Sequence, residues 1–306
     1  MRNMFADTFF KAGQKNKKLA VIVADISPAG SMEKFHRKFP KRFINTGVAE
    51  QSMIGLAAGM AMQGMRPFAY TIATFSLYRP FEMVRDDLCY QELPVTIVGI
   101  GGGVTYSTLG GTHHAMEDVA IASSIPNMQV IAPCDPIETK DATNWCINKN
   151  RGPVYLRLGK AGEPTITNNA PDPFVMGKIR YLKKGKDVCL ISYGPTVNIA
   201  LGVAEKLQNK EKVSVSIISC HTLKPLDIQG ITKALKTHKR VIVIEEMVEN
   251  GGLAQNIKKI AWEIQAKCSI KSFSLQDRFI HFFGDHQQLL SEHGLDVDKI
   301  FRSCLK

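Results

Sequence analysis

The sequence has no apolar run long enough to cross a membrane as a helix. Its longest stretches, LAVIVAD from Leu19 and TIVGIGGGV from Thr96, fall well short of the roughly 18 residues a span needs. The N-terminal MRNMFADTFFKAG breaks its aromatics with Asp7 and Lys11 and offers neither an apolar core nor a small-residue cleavage site, so no secretory signal is read there. Cysteine is sparse and shows no pairing pattern. Cys89, Cys134, Cys146, Cys189, Cys220, Cys268 and Cys304 are odd in number and never spaced as a CxxC pair, which excludes a disulfide framework and points to reduced, buried thiols in the cytoplasm. Also absent are a GK[ST] phosphate-loop ending, a GxSxG elbow, an HExxH helix and a Cys-nucleophile signature, and the hydrolase and metalloprotease readings fall with them. No internal repeat or low-complexity tract is present.

What remains is a chain of 306 residues, 44% apolar and 22% charged, an ordinary globular mix whose length suggests two domains. The net charge of +11 is spread out, as in Lys15, Lys17, Lys18 and Lys183, Lys184, Lys186, without interleaved exposed aromatics. A nucleic-acid partner is therefore not expected, and anionic substrates or an acidic protein partner explain the excess as well. Short β-branched runs alternate with helical lengths: LAVIVAD (19–25), RPFAYTI (66–72), PVTIVGI (94–100), MQVIAP (128–133) and PVYLRL (153–158). After a stretch rich in Pro, Asn and Gly the pattern restarts with DVCLISY, VSVSIIS, RVIVIEE and SIKSFSL. Such alternation predicts an α/β fold of two domains, each a mostly parallel sheet flanked by helices. The boundaries expected are a first domain over 1–160, a linker over 161–185 and a second domain over 186–306.

The segment GVAEQSMIGLAAGMAMQG (47–64) is apolar nearly all round, which predicts a buried helix, with Gly55 and Gly59 permitting close approach of another backbone. Glu50 falls in its first turn, where a carboxylate can cap the helix or do chemistry. The loop GIGGGVTYSTLGGTHH (99–114) follows a strand, yet the third glycine of a GxGxxG motif is replaced by Val104 or Tyr106, depending on the start. It is not a dinucleotide loop. It is a loop that lets a ligand approach the backbone, ending in His113 and His114, whose adjacent side chains point apart and so make a poor metal chelate.

The run FINTGVAEQSMIGLAAGMAMQGMRPFAYT (43–71), then GGTHHAMEDVAIASSIPNMQVIAPCDP (110–136), PVYLRLGK (153–160), CHTLKPLD (220–227) and VIEEMVENGGLAQ (243–255), resembles the C-terminal half of transketolases over essentially the whole chain. The order AEQ, THH-x-x-ED, EE-x-x-x-x-GGL is specific where each piece alone is not. Full-length transketolases begin with a domain whose GDG motif and downstream Asn hold magnesium and the diphosphate of thiamine diphosphate. The one Gly-Asp pair here, Gly284 with Asp285, does not fit that motif. The resemblance therefore implies a split enzyme, with no metal ligands on this chain and Mg2+ held mainly by an N-terminal partner subunit. It implies an alpha2beta2 heterotetramer in which this chain self-associates and supplies the pyrimidine-binding and C-terminal domains.

The same resemblance assigns roles. Glu50 matches the carboxylate that bonds the pyrimidine ring nitrogen and favours the tautomer serving as internal base. Ile72, Phe75 and Tyr78 match ring-contacting positions, with Ile72 in place of a usual aromatic. His113 matches the histidine near the substrate hydroxyl and the cofactor's amino group, His114 is a weaker substrate contact, and Arg157 matches a phosphate-holding arginine or else forms an ion pair. Three departures bear on the sugar substrate: Leu109 replaces an aspartate that reads a hydroxyl, Gly101 a histidine and Ala29 a serine, both on the phosphate side. A leucine accepts no hydrogen bond, so a ketol transfer to an acceptor other than the usual pentose phosphates is expected. The alternatives are the beta subunit of a 2-oxoacid dehydrogenase, marked by a lipoyl-domain partner, and a non-catalytic partner subunit; the related deoxyxylulose-phosphate synthase is normally a single chain.

Overall fold

The computed structural model describes residues 1–25 and 31–305; Ala29, one of the substrate-side departures, lies outside them. The described strands are β1 (Leu19–Val23), β2 (Phe43–Asn45), β3 (Arg66–Ile72), β4 (Thr96–Ile100), β5 (Gln129–Ile131), β6 (Val154–Leu158), β7 (Arg180–Lys183), β8 (Val188–Ser192), β9 (Val215–Ser219), β10 (Thr222–Lys224), β11 (Arg240–Val248) and β12 (Ser269–Leu275). Among the described residues they form two sheets, in the orders β10-β5-β6-β4-β3-β1-β2 and β12-β11-β8-β9-β7. All pairings are parallel except β10 on β5 and β7 on β9. Parallel strands need helical crossovers that cover both faces, so β1, β4 and β6 are buried throughout, and β1 is an unbroken apolar run.

The helix Arg2–Lys15 lays Phe5 and Phe9 against Phe68 and Tyr70 of β3 on one face of the first sheet. On the other face a single apolar cluster runs from Ile22, Met53 and Met116 to Leu190, Ile244 and Ile257 of the second half. The two sheets therefore share a core.

Three expectations change. The apolar segment forms a helix over Glu50–Met62, packed on β3 through Met53, Ile54, Ala57, Ala58 and Ala61, but its other face is not buried. An added Cβ at Gly55 or Gly59 would meet nothing within 4 Å, and Leu56 and Met62 are exposed. The stretch 161–185 is not all linker, since β7 pairs within it, Tyr181 opposite Ile218. The strand β10, from the second half of the sequence, closes the edge of the first sheet with Thr222 opposite Ile131. The Lys224 ammonium fixes it there, donating to the carbonyls of Ser123, at 2.8 Å, and Ile125.

Candidate active site

The C-terminal ends of β3 and β4 and the start of the helix Glu50–Met62 converge on one place. Glu50 opens its helix but makes no capping hydrogen bond to it. Its carboxylate is 2% exposed and accepts from Arg79 Nη1 at both oxygens, at 2.9 and 3.1 Å. Phe75 lies on the short helix Ala73–Leu77 that follows β3 directly. Arg79 lies in the turn just past that helix, and its guanidinium carbon sits 3.9 Å over the Phe75 ring. The ring of His113 stands edge-on to Phe75, centroids 5.1 Å apart at 73°, with Tyr106 6.3 Å from it. His113 is fixed at both ends: its Nδ1 lies 2.9 Å from Thr112 Oγ1, and its carbonyl accepts from Thr74 Oγ1 at 3.0 Å. Partial burial, then the nearby Arg79 cation, push the His113 imidazole below its ordinary value of 6.5. It is neutral near pH 7, able to give or take one proton.

The glycine-rich loop is held from the second half of the chain. Glu246, on β11, reaches across, and its carboxylate accepts from the Val104 amide at 2.8 Å while lying 2.8 Å from His286 Nε2. A Cβ at Gly103 would fall 2.4 Å from that carboxyl group, and Gly103 has φ +67°, so both space and backbone demand glycine. Its neighbour Glu245 caps the helix Leu253–Glu263 through the Leu253 and Ala254 amides. The two glutamates of the EE motif thus have separate structural tasks.

Glu50, Phe75 and His113 come together as a group. Arg79, which joins Glu50 to Phe75, is missed by the sequence reading, although its spacing of four from Phe75 is a usable signal; so are Tyr106 and Glu246. Other positions differ from their expected places. Tyr78 turns to Glu117, its hydroxyl donating to Oε2 at 2.7 Å, because position 78 lies three residues along and on the side facing the helix Asp118–Ser124. His114 is buried at 3% exposure while His113, which ends the 3-10 turn Gly111–His113, faces Phe75; burial is the chief cause that pushes the His114 imidazole down. Arg157 is not at a rim. It is 3% exposed, with Nε 2.8 Å from Asp118 Oδ2 and Nη2 donating to the Glu246 carbonyl at 2.9 Å. Tyr155 donates to the same Asp118 oxygen at 2.7 Å, so Arg157 forms the ion pair rather than a substrate contact. Ile72 is buried at the end of β3. Leu109 stands 51% exposed on the turn Ser107–Leu109, four residues before His113. Among the described residues no three His, Cys, Asp or Glu side chains gather as a metal site. A separate cavity of about 420 Å³ lies between the sheets, lined by Thr105, Glu163, Thr196, Glu246 and His286 among others.

Residues 1–163 match the model of the transketolase pyrimidine-binding domain, and residues 177–300 that of the transketolase C-terminal domain. The chain belongs to the transketolase family. It is 32% identical over 300 residues to a subunit of the apulose-4-phosphate transketolase of Actinobacillus succinogenes, covering 98% of this chain and 96% of that protein. Against the 6-deoxy-6-sulfo-D-fructose transketolase subunit of a Clostridium species the identity is 33% over 304 residues, covering 99% and 93%. A solved split gene transketolase, an inactive beta4 tetramer, superposes with a TM-score of 0.87 at 32% identity, covering 99% of this chain and 96% of that one. The chain matches the C-terminal subunit of split transketolases, with the pyrimidine-binding unit in its first half and the C-terminal unit in its second.

Proposed function

We propose that this chain is the beta subunit of a split, thiamine diphosphate-dependent transketolase that moves a two-carbon ketol unit from a ketose to an aldehyde or aldose acceptor. One observation carries the reading. A buried carboxylate, Glu50, and an aromatic face, Phe75, already receive a planar N–H donor in the form of the Arg79 guanidinium, so the residues fit a flat aminopyrimidine that needs both. When bound, thiamine diphosphate supplies an acidic thiazolium carbon that takes up the ketol unit. Glu50 would accept the N–H of the ring nitrogen in the imino tautomer, Phe75 would carry the ring, and His113, neutral near pH 7, would orient a substrate hydroxyl and move its proton.

An N-terminal partner subunit supplies the diphosphate and Mg2+ site in this proposal, in a cytoplasmic alpha2beta2 assembly. The inactive homotetramer of the similar split enzyme supports the need for a partner, and relatives named for apulose phosphate and a sulfosugar support an uncommon acceptor. Calorimetric titration of thiamine diphosphate with Mg2+ tests the reading, first into this chain and then into its mixture with the N-terminal subunit. Binding is expected in the mixture and not in the chain alone; tight binding by the lone chain would sink the split arrangement. Glu50→Gln should leave assembly intact and lower thiamine-dependent turnover by about 100-fold or more, and undiminished turnover would remove Glu50 from its role.

A further inference from the structure

Both oxygens of the Glu50 carboxylate are engaged by one nitrogen of Arg79, and the face of Phe75 is covered by the same guanidinium at 3.9 Å. The two partners differ in how firmly they are held. Glu50 is 2% exposed and rooted in the first turn of its helix, whereas the Arg79 side chain is 42% exposed. An arginine so exposed can swing into water by rotating its own side-chain torsions, with no change in the backbone. A guanidinium and an aminopyrimidine in its imino tautomer are both flat, both donate N–H to a carboxylate and both stack on an aromatic ring. They need the same lone pairs and the same ring face, so one excludes the other.

We propose that Arg79 is a displaceable internal ligand. It occupies the place of the cofactor's pyrimidine ring in the unloaded chain and yields Glu50 and Phe75 when the ring enters. The proposal rests on the reading of Glu50 as the ring's partner. Its physical rationale is that a buried carboxylate left without a partner is costly, and this chain must stay folded before it loads. A satisfied Glu50 keeps the pocket in shape, and the arriving ring has to compete with an intramolecular cation. Weak binding of the ring to the lone chain follows from the chain's own geometry.

Thiamine itself, which lacks the diphosphate, is the probe, titrated into the full chain and followed by ligand-observed NMR. Arg79→Ala and the more conservative Arg79→Gln are expected to bind it at least about tenfold more tightly than the unaltered chain. Methylguanidine, free to refill the place, should reverse the gain in Arg79→Ala. The second variant and circular dichroism guard against a misfolded alanine mutant. Equal or weaker binding by both variants, or no detectable binding by any chain, overturns the proposal. Loss of the gain in the double variant Glu50→Gln, Arg79→Ala supports it in full. A gain that survives in that double variant supports occupancy of the Phe75 face but overturns the role given to Glu50. If the assembled enzyme needs Glu50 while Arg79 variants show no gain, the proposal falls and the functional reading stands.

Discussion

Arg79 acts on more than Glu50. Its cation is the second cause, after burial, of the lowered pKa of His113; a positive neighbour disfavours the imidazolium, so removing it must move the pKa upward. An NMR titration of the His113 ring in Arg79→Ala should place its midpoint closer to 6.5 than in the unaltered chain, and a downward move would contradict the electrostatic cause. Leu109, half exposed and four residues before His113, is the position at which acceptor choice is expected to turn. Leu109→Asp should shift the ratio of kcat/KM values toward hydroxylated sugar phosphates by about tenfold or more, and an unchanged ratio would detach this position from selectivity. Glu50, Phe75 and His113 are legible in the sequence because each sits inside a local motif. Arg157 is legible only as a choice between a phosphate contact and an ion pair, because its partner Asp118 lies 39 positions away in sequence, and an arginine in the middle of a strand gives no local sign of which carboxylate awaits it.

At the scale of elements, the strands with continuous β-branched runs are legible, while β2, β7 and β10 are not. Strands of three or four residues such as these carry too few side chains for a period to emerge, and all three are edges defined by their partner. The glycines divide by what surrounds them. Gly103→Ala must displace a buried carboxyl group and hold a side chain at positive φ, which should cost about 2 kcal/mol or more, read as a lowered urea midpoint. Gly59→Ala meets open space on a helix. It should stabilise the lone chain by up to about 1 kcal/mol and, where that face meets another subunit, weaken assembly. Equal effects on the lone chain and the complex would mean that the open face of Glu50–Met62 stays uncovered.

At the scale of the molecule, the two halves are joined by the His286 and Glu246 pair that holds the glycine-rich loop. Burial alone would push His286 down and Glu246 up; their mutual attraction outweighs it, leaving His286 above 6.5 and Glu246 below 4.5. The contribution of a raised histidine is complete below its unfolded value of 6.5 and is lost as pH rises through its folded one. The contribution of a lowered glutamate is present above 4.5 and is lost as pH falls through its folded value. The joint is therefore strongest between these limits. As pH rises above 6.5 through the folded value of His286, its contribution to the urea midpoint should be lost, and His286→Ala should remove that loss; a pH slope unchanged by the variant would place the dependence elsewhere.

The crossing of β10 into the first sheet makes this chain hard to divide. A fragment ending at residue 163, where the match to the pyrimidine-binding model stops, would leave β5 with a bare edge of unpaired amides and carbonyls, ready to recruit a strand from a neighbouring molecule. Proteolysis within 161–176 should produce a nicked protein whose pieces stay bound to each other, and expressing the first piece by itself should give aggregates.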